Sequence, residues 1–132
     1  MSKLEAQAEY WKLSAERNWR TAMDLFKTKH YDACLFFCHL TLEKSLKALV
    51  IRTTNQSAPY IHNLERLANL AKLSLSTEQI LQLRVITTFN IAGRYDEEKL
   101  AFYKKCSQGF TNKHLQIAKK LYLWLKGEYL KK

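Results

Sequence analysis

The residues with the clearest capacity for chemistry lie in the stretch CHLTLEKSLKALV, which runs from Cys38 to Val50. This stretch sets Glu43 and Lys44 side by side among mostly apolar and small residues. A buried charge is costly unless it is paired or has a chemical task. Because Glu43 and Lys47 are four residues apart, they share one face of a helix and can form an ion pair, whereas Lys44 points about 100° away.

Two interpretations of this charge remain open. The candidate ligand-binding residues are Glu43, Lys47, His62, Arg94 and Tyr95. In the structural one, Glu43 forms an ion pair between helices or receives Arg94 bidentately, and His62 is a neutral, hydrogen-bonded residue that caps its own helix. In the functional one, Lys47, Arg94 and His62 line a cleft for a phosphate or nucleotide, and Glu43 orients a cation. We favour the structural interpretation, in which Glu43 orients its neighbours or contributes specificity and does not act as a general base.

No known catalytic or metal-binding motif is present in the sequence. It contains no P-loop, GxGxxG, HExxH or GxSxG, and its four histidines are scattered without ligand spacing. Cys34 and Cys38 lack paired CxxC spacing, so we interpret them as small core residues. The acidic run Asp96–Glu98 places carboxylates at consecutive positions, which do not converge on a cation. We therefore predict no catalytic residue, no metal site and no cofactor.

The positive charge of the chain is concentrated in its last third. The net charge is +10, and the segment from Lys99 to Lys132 contains nine lysines but only one acid, Glu128. Such an imbalance favours a polyanionic partner, although a solvated lysine-rich helix face explains it equally well. If it is a binding surface, the candidate polyanion-binding residues are Lys119, Lys120 and Lys126.

Length and composition predict one all-α domain over residues 1–132. With only 3 Gly and 1 Pro and no Asn-Gly or Asp-Gly dipeptide, tight hairpins and an all-β fold are excluded. No apolar run reaches the roughly 18 residues of a membrane span, and the first residues lack the apolar stretch of a signal peptide. The three cysteines do not form a disulfide framework. We therefore expect a cytoplasmic protein without membrane contact.

Hydrophobic periodicity predicts about five helices in an up-and-down antiparallel bundle. The first covers Leu4–Phe26, and the second covers about Tyr31–Arg52, with Asp32 as its cap. The second is apolar nearly all round, so it lies at the centre of a bundle or is buried by a second subunit. The remaining signals are a third helix in HNLERLANLAKL, a capping box of Ser76 and Gln79 before a fourth helix, and Thr111 as the cap of the last helix. The segment NIAGRYDEEKLAFYKKCSQGF between the last two has no clean period, and it is long enough to be functional or to carry a short helix of its own.

Three segments of the chain together resemble the HEPN domain (higher eukaryotes and prokaryotes nucleotide-binding). They are YDACLFFCHLTLEKSLKALVI, HNLERLANLA and ARY, and the resemblance covers about Trp11 to Trp124 of the chain. The run from Glu43 to Ala48 matches the family's Glu-Lys-x-Leu-Lys-Ala, and His62 with Leu64 resembles its His-Asp-Leu opening of the third helix. His39 stands where the family often has glutamine.

The resemblance implies a helical bundle that usually dimerises. Many members form a complex with a minimal nucleotidyltransferase, and others are metal-independent ribonucleases. The nucleases carry a histidine four to six residues after an arginine. After Arg94 those positions are Lys99, Leu100 and Ala101, and His114 lies twenty residues on. The general acid-base imidazole is therefore missing, and we expect no metal-independent RNA cleavage.

Together these observations predict a dimeric module that binds a nucleotide or RNA and is the partner of a nucleotidyltransferase, as in a toxin-antitoxin pair. The alternatives are a ribonuclease with a degenerate site built on Arg94, Tyr95 and Lys47, and an oligomerisation scaffold. Because so apolar a second helix exceeds what one small domain can cover, we expect a twofold homodimer with the second or last helix near the interface.

Overall fold

The computed structural model describes residues 1–132 as six helices with no strand. In chain order they are α1 (Lys3–Lys27), α2 (Tyr31–Thr54), α3 (Leu64–Leu70), α4 (Thr77–Thr87), α5 (Asp96–Lys105) and α6 (Gln108–Leu130). Only residues 28–30 separate α1 from α2, and so short a connection makes the two helices antiparallel neighbours. The predicted all-α bundle is confirmed, with one more helix than expected.

Helix α2 lies at the centre of the bundle. More than half of its 24 residues are buried, and it contacts each of the other five helices, α1 and α6 most extensively. Leu42, Leu46 and Leu49 are completely buried in the core. The apolar surface of α2 is thus covered within one chain, and the first of the two explanations for its composition is correct. The composition of α2 therefore does not by itself require a dimer.

The helix starts follow capping rules, but two caps differ from the prediction. Ser76 and Gln79 form the predicted capping box. Helix α6 is capped by Ser107, whose side chain accepts a hydrogen bond from the Phe110 backbone N–H. The prediction of Thr111 was wrong, because Thr111 is buried in the first turn of α6.

The start of α2 differs as well. Its N-cap is His30, which makes no side-chain cap bond. Asp32 is not the cap but lies in the first turn, where a carboxylate interacts favourably with the helix dipole.

The segment without a clean period contains α5, which has no buried residue. Phe102 provides its main anchor, since the ring packs against Phe89 with centroids 5.5 Å apart. Because periodicity reveals a helix only through a buried face, α5 could be allowed for but not located from the sequence. No helix of the protein combines the length and apolarity that a membrane crossing needs.

Candidate binding site

Glu43, in the middle of α2, is the centre of a charge cluster, which we call the Glu43 cluster (His39, Glu43, Lys47 and His62). His39, Glu43 and Lys47 are buried, whereas the His62 side chain is 43% exposed. Glu43 is only 4% exposed. One carboxylate oxygen, Oε1, lies 2.8 Å from His62 Nδ1, and the other, Oε2, accepts a hydrogen bond from Lys47 Nζ at 3.2 Å. Both oxygens therefore have a hydrogen-bonding partner, as a buried carboxylate requires.

His39 lies one helical turn before Glu43 on α2 and contacts the backbone of His62. The side chain is fully buried, and its Nε2 lies 3.2 Å from the His62 carbonyl oxygen. Because a carbonyl only accepts, Nε2 carries the proton and donates. Burial lowers the pKa of His39, which keeps the ring neutral at pH 7. The other nitrogen, Nδ1, has no hydrogen-bond partner.

The Lys47 ammonium is fully engaged by its neighbours. It is 4% exposed, and besides Glu43 it faces the Trp11 ring at 5.1 Å and the Tyr60 ring at 5.8 Å from their centroids. Such cation–π contacts are strongest where the cation is desolvated. With one carboxylate and two rings around it, this ammonium has little capacity left for an external phosphate.

The Glu43 cluster ties the segment before α3 to the central helix. His62 precedes Leu64, the first residue of α3, and its two contacts, through Nδ1 and through the carbonyl, both reach α2. The prediction that His62 caps α3 was wrong. The cap is Asn63, whose side chain accepts a hydrogen bond from the Arg66 N–H. The geometry is that of the structural interpretation, with Lys47 and His62 as the partners of Glu43.

Arg94 and Tyr95 lie apart from the Glu43 cluster. Both are exposed, and Tyr95 is the N-cap residue of α5. Arg94 forms no salt bridge, and the Glu43 carboxylate contacts Lys47 and His62 instead. The predicted bidentate pairing of Arg94 with Glu43 is therefore absent, and the cleft of Lys47, Arg94 and His62 is not assembled.

The remaining predicted residues lie on the solvent face of α6. Lys119, Lys120 and Lys126 are all exposed, as is Lys113 on the same helix, and none of the four forms a salt bridge with a carboxylate. We call these four residues the lysine face. The Lys126 ammonium also lies over the Tyr122 ring, 5.3 Å from its centroid, but none of the four is neutralised by a carboxylate.

The side chains of His114, Cys34 and Cys38 pack against other residues of the bundle. His114 packs against Phe110 and Phe89, with ring centroids 4.5 and 5.3 Å away, and burial lowers its pKa. Cys34 and Cys38 are buried in the core as free thiols. No group of three or more His, Cys, Asp or Glu residues is placed to hold a metal ion.

Sequence reasoning missed a cavity of about 190 Å³ between α1, α2 and α6. We call it the α1–α6 cavity, and its lining residues are Lys12, Glu16, Ser45, Ala48, Tyr122, Leu125, Lys126, Tyr129 and Leu130. Of these residues, only Lys126 was predicted from the sequence to be a candidate polyanion-binding residue. The available signal was the spacing of four between Lys12 and Glu16 and between Tyr122 and Lys126, which places each pair on one helix face.

Comparison with known proteins gives one family and one similar structure. The family model of the HEPN domain matches residues 8–128. Among solved structures, that of TT1696 from Thermus thermophilus is similar, with a TM-score of 0.76 and 20% identity over 92% of this chain and 97% of that chain. At this identity the likeness shows the fold alone. No curated protein matches the chain.

Proposed function

Because the chain belongs to the HEPN domain family, we propose that it is a nucleotide- or RNA-binding module that acts as the partner of a minimal nucleotidyltransferase. Family membership supports a nucleotide- or RNA-related role in general. The finer parts of the proposal, namely RNA as the polyanion, the partner enzyme and the homodimer, rest on the arguments that follow.

The observation that carries RNA binding is the lysine face of α6. Lys119, Lys120 and Lys126 are exposed and have no carboxylate partner, so their charge is not neutralised within the protein. Lysines that contact phosphates release condensed counterions, and this release drives association with nucleic acid. The Glu43 cluster cannot supply the same interaction, since its charges already pair with each other.

The test replaces Lys119, Lys120 and Lys126 together with Gln and measures RNA affinity by fluorescence anisotropy between about 50 and 200 mM salt. Each phosphate contact to a single strand contributes about 0.7 to the slope of log affinity against log salt. We expect the triple variant to lose about 2 units of slope and at least roughly tenfold in affinity at the lower salt.

A matched control removes the same charge elsewhere. Lys3, Lys27 and Arg66 are also exposed but lie on α1 and α3. Their triple Gln variant has the same net charge as the lysine-face variant, so a general loss of positive charge would affect both equally. Equal losses, or a wild-type affinity that does not change with salt, would show that the lysine face is only a solvated surface.

For the homodimer we propose α5 rather than α2 or α6 as the interface. Helix α5 has no buried residue, and Leu100 and Tyr103 on it are 52% and 62% exposed. Its first turn is acidic and its last turn basic. Two copies of α5 packed antiparallel about Leu100 would place Asp96 of each copy opposite Lys104 of the other, as a twofold interface requires.

Substituting Leu100 by Glu should convert the dimer to a monomer, because it places like charges at the centre of the twofold contact. Light scattering at micromolar concentration measures the change. Leu81→Glu on α4 is the control, since Leu81 is similarly exposed at 55% and lies outside the proposed interface. A monomeric wild-type protein, or an effect of Leu81→Glu equal to that of Leu100→Glu, contradicts the proposal.

The nucleotidyltransferase partner is proposed from family resemblance. The observation that discriminates it is the neighbouring gene, and the test is co-elution of the purified protein with the product of that gene in size-exclusion chromatography. The cytoplasm is the proposed compartment, because all three cysteines are unpaired thiols and thiols persist in reducing surroundings.

A further inference from the structure

The α1–α6 cavity combines a small floor, aromatic walls and cations at its rim. Ser45 and Ala48 of α2 form the floor, where their short side chains leave space between the flanking helices. At about 190 Å³ it is smaller than the roughly 300–1,000 Å³ of common ligand pockets. It therefore accommodates one ring system and leaves the rest of a ligand at the mouth.

The aromatic walls are Tyr122 and Tyr129 of α6. Both are nearly buried, at 4% and 6% exposure, and the Tyr122 ring lies 5.6 Å from Trp19 behind it. Burial raises the pKa of Tyr122 to about 12 and also raises that of Tyr129, so both hydroxyls stay protonated. No side chain of the protein hydrogen-bonds to either hydroxyl, which leaves two donors for a ligand.

Positive charge surrounds these rings. The Lys126 ammonium lies 5.3 Å from the centroid of Tyr122, and that of Lys12 lies 5.7 Å from the centroid of Tyr129. The Arg52 guanidinium lies closer to Tyr129, 4.0 Å from its centroid. Lys12 forms one salt bridge, to Glu9, with an N···O distance of 3.9 Å, which is too long for a strong hydrogen bond. A solvent-exposed pair of this kind adds little stability, so both ammonium groups can turn to an anion.

One acid lines the cavity as well. Glu16 lies on α1 one helical turn beyond Lys12, and its charge is felt by the Tyr122 hydroxyl, whose pKa it helps to raise. A carboxylate only accepts hydrogen bonds, so beside an aromatic ring it selects for a donor such as an exocyclic amine. A simple anion site would have no use for it.

We propose that the α1–α6 cavity binds a mononucleotide whose base carries an exocyclic amine. The base lies in the cavity against Tyr122 and Tyr129, whose rings contribute apolar contact. Glu16 accepts from the amine, and Lys12 and Lys126 bind the phosphate. The inference rests on the proposed function only for its choice of ligand class, since the cavity and the lysine face share a single residue, Lys126.

The experiment measures AMP binding by isothermal titration calorimetry to the full chain. Lys12→Gln removes a rim cation that is not part of the lysine face, and it should weaken AMP about tenfold. The double variant Lys119→Gln and Lys120→Gln is the control, because both residues lie outside the cavity; it should change AMP affinity less than about twofold. In the RNA assay the double variant should weaken binding, whereas Lys12→Gln should leave it nearly unchanged.

The arms of the titration separate the parts of the ligand. Adenosine tests the base alone and inorganic phosphate tests the anion alone, and both should bind at least roughly tenfold more weakly than AMP. Inosine monophosphate replaces the amine by a carbonyl oxygen, so wild-type protein should prefer AMP and Glu16→Gln should lose that preference.

Two results would overturn the inference: no AMP binding by the wild-type protein at millimolar concentration, or an AMP affinity that Lys12→Gln leaves unchanged. If RNA binding still depends on Lys119 and Lys120 in that case, the cavity assignment fails alone and the proposed function stands. If AMP binds as expected while RNA does not, the cavity assignment stands and RNA binding is withdrawn.

Discussion

The two sides of the bundle use their charges in opposite ways. In the Glu43 cluster, the carboxylate lies within 3.2 Å of both the Lys47 ammonium and the His62 ring, so the charges are consumed by the protein. Around α6, Lys119, Lys120 and Lys126 are exposed and have no carboxylate partner. The most conspicuous charges in the sequence therefore contact each other, whereas the inconspicuous ones have no carboxylate partner.

A buried ion pair is not by itself a large source of stability, because desolvation offsets much of the attraction. Removing one partner is a different matter, since the other charge then stays buried without compensation. This asymmetry makes the two sides of the molecule distinguishable by mutation.

The largest effect is expected for Glu43→Gln. This change leaves the Lys47 ammonium, which is 4% exposed, without its carboxylate, and breaking a buried pair in this way costs about 3–5 kcal/mol. The free energy of unfolding, measured by urea denaturation, should fall by about 3 kcal/mol, the lower end of that range. The same substitution at the partly exposed Glu16 in the α1–α6 cavity should change it by less than about 0.5 kcal/mol.

If Glu43→Gln and Glu16→Gln lowered the free energy of unfolding by similar amounts, the contrast between the Glu43 cluster and the α6 side would be contradicted. A gain in RNA or AMP affinity on losing Glu43 would contradict it as well, since that would mean the Lys47 ammonium becomes available to a ligand.

The central part of this site could be predicted from the sequence. Glu43 and Lys47 are four residues apart on one apolar helix, and that spacing alone implies an ion pair. The role of His62 could be predicted only in part, because its partner lies nineteen residues earlier and depends on how α3 packs on α2. The proposed pairing of Arg94 with Glu43 failed for the same reason, since no local rule determines the position of the exposed turn before α5.

A smaller effect is expected for pH and His39. Burial places the pKa of His39 below its ordinary value of 6.5 when the protein is folded, so the unfolded chain takes up this proton at higher pH than the folded one. The stability gained from neutral His39 is therefore present above about pH 6.5 and is lost as pH falls toward the folded-state pKa. The loss has a limiting slope of about 1.4 kcal/mol per pH unit.

His39→Gln tests this expectation, because glutamine can still donate to the His62 carbonyl but does not titrate. Urea denaturation at about pH 7 and about pH 5 should show a smaller loss of stability in the variant than in the wild type. Parallel pH profiles for the two proteins would contradict the neutral, Nε2-protonated state assigned to His39.

The α1–α6 cavity could not be predicted from the sequence, and α5 could be allowed for but not located, for two different physical reasons. The cavity is assembled from Lys12 on α1, Ser45 on α2 and Tyr129 on α6, and no pattern along the chain relates positions on three helices. Helix α5 has no buried face, so its sequence lacks the repeating apolar positions by which a helix is recognised.

The most direct test of the central claim compares Lys47→Met with the lysine-face triple variant in the same RNA salt titration. Both remove lysines, but Lys47 is buried against Glu43 and Trp11, whereas the triple variant removes free cations. Circular dichroism confirms that each variant is folded. We predict that Lys47→Met binds RNA within about twofold of wild type with an unchanged salt slope, while the triple variant loses about 2 units of slope. The reverse result, with binding lost in Lys47→Met and retained in the triple variant, would contradict the account.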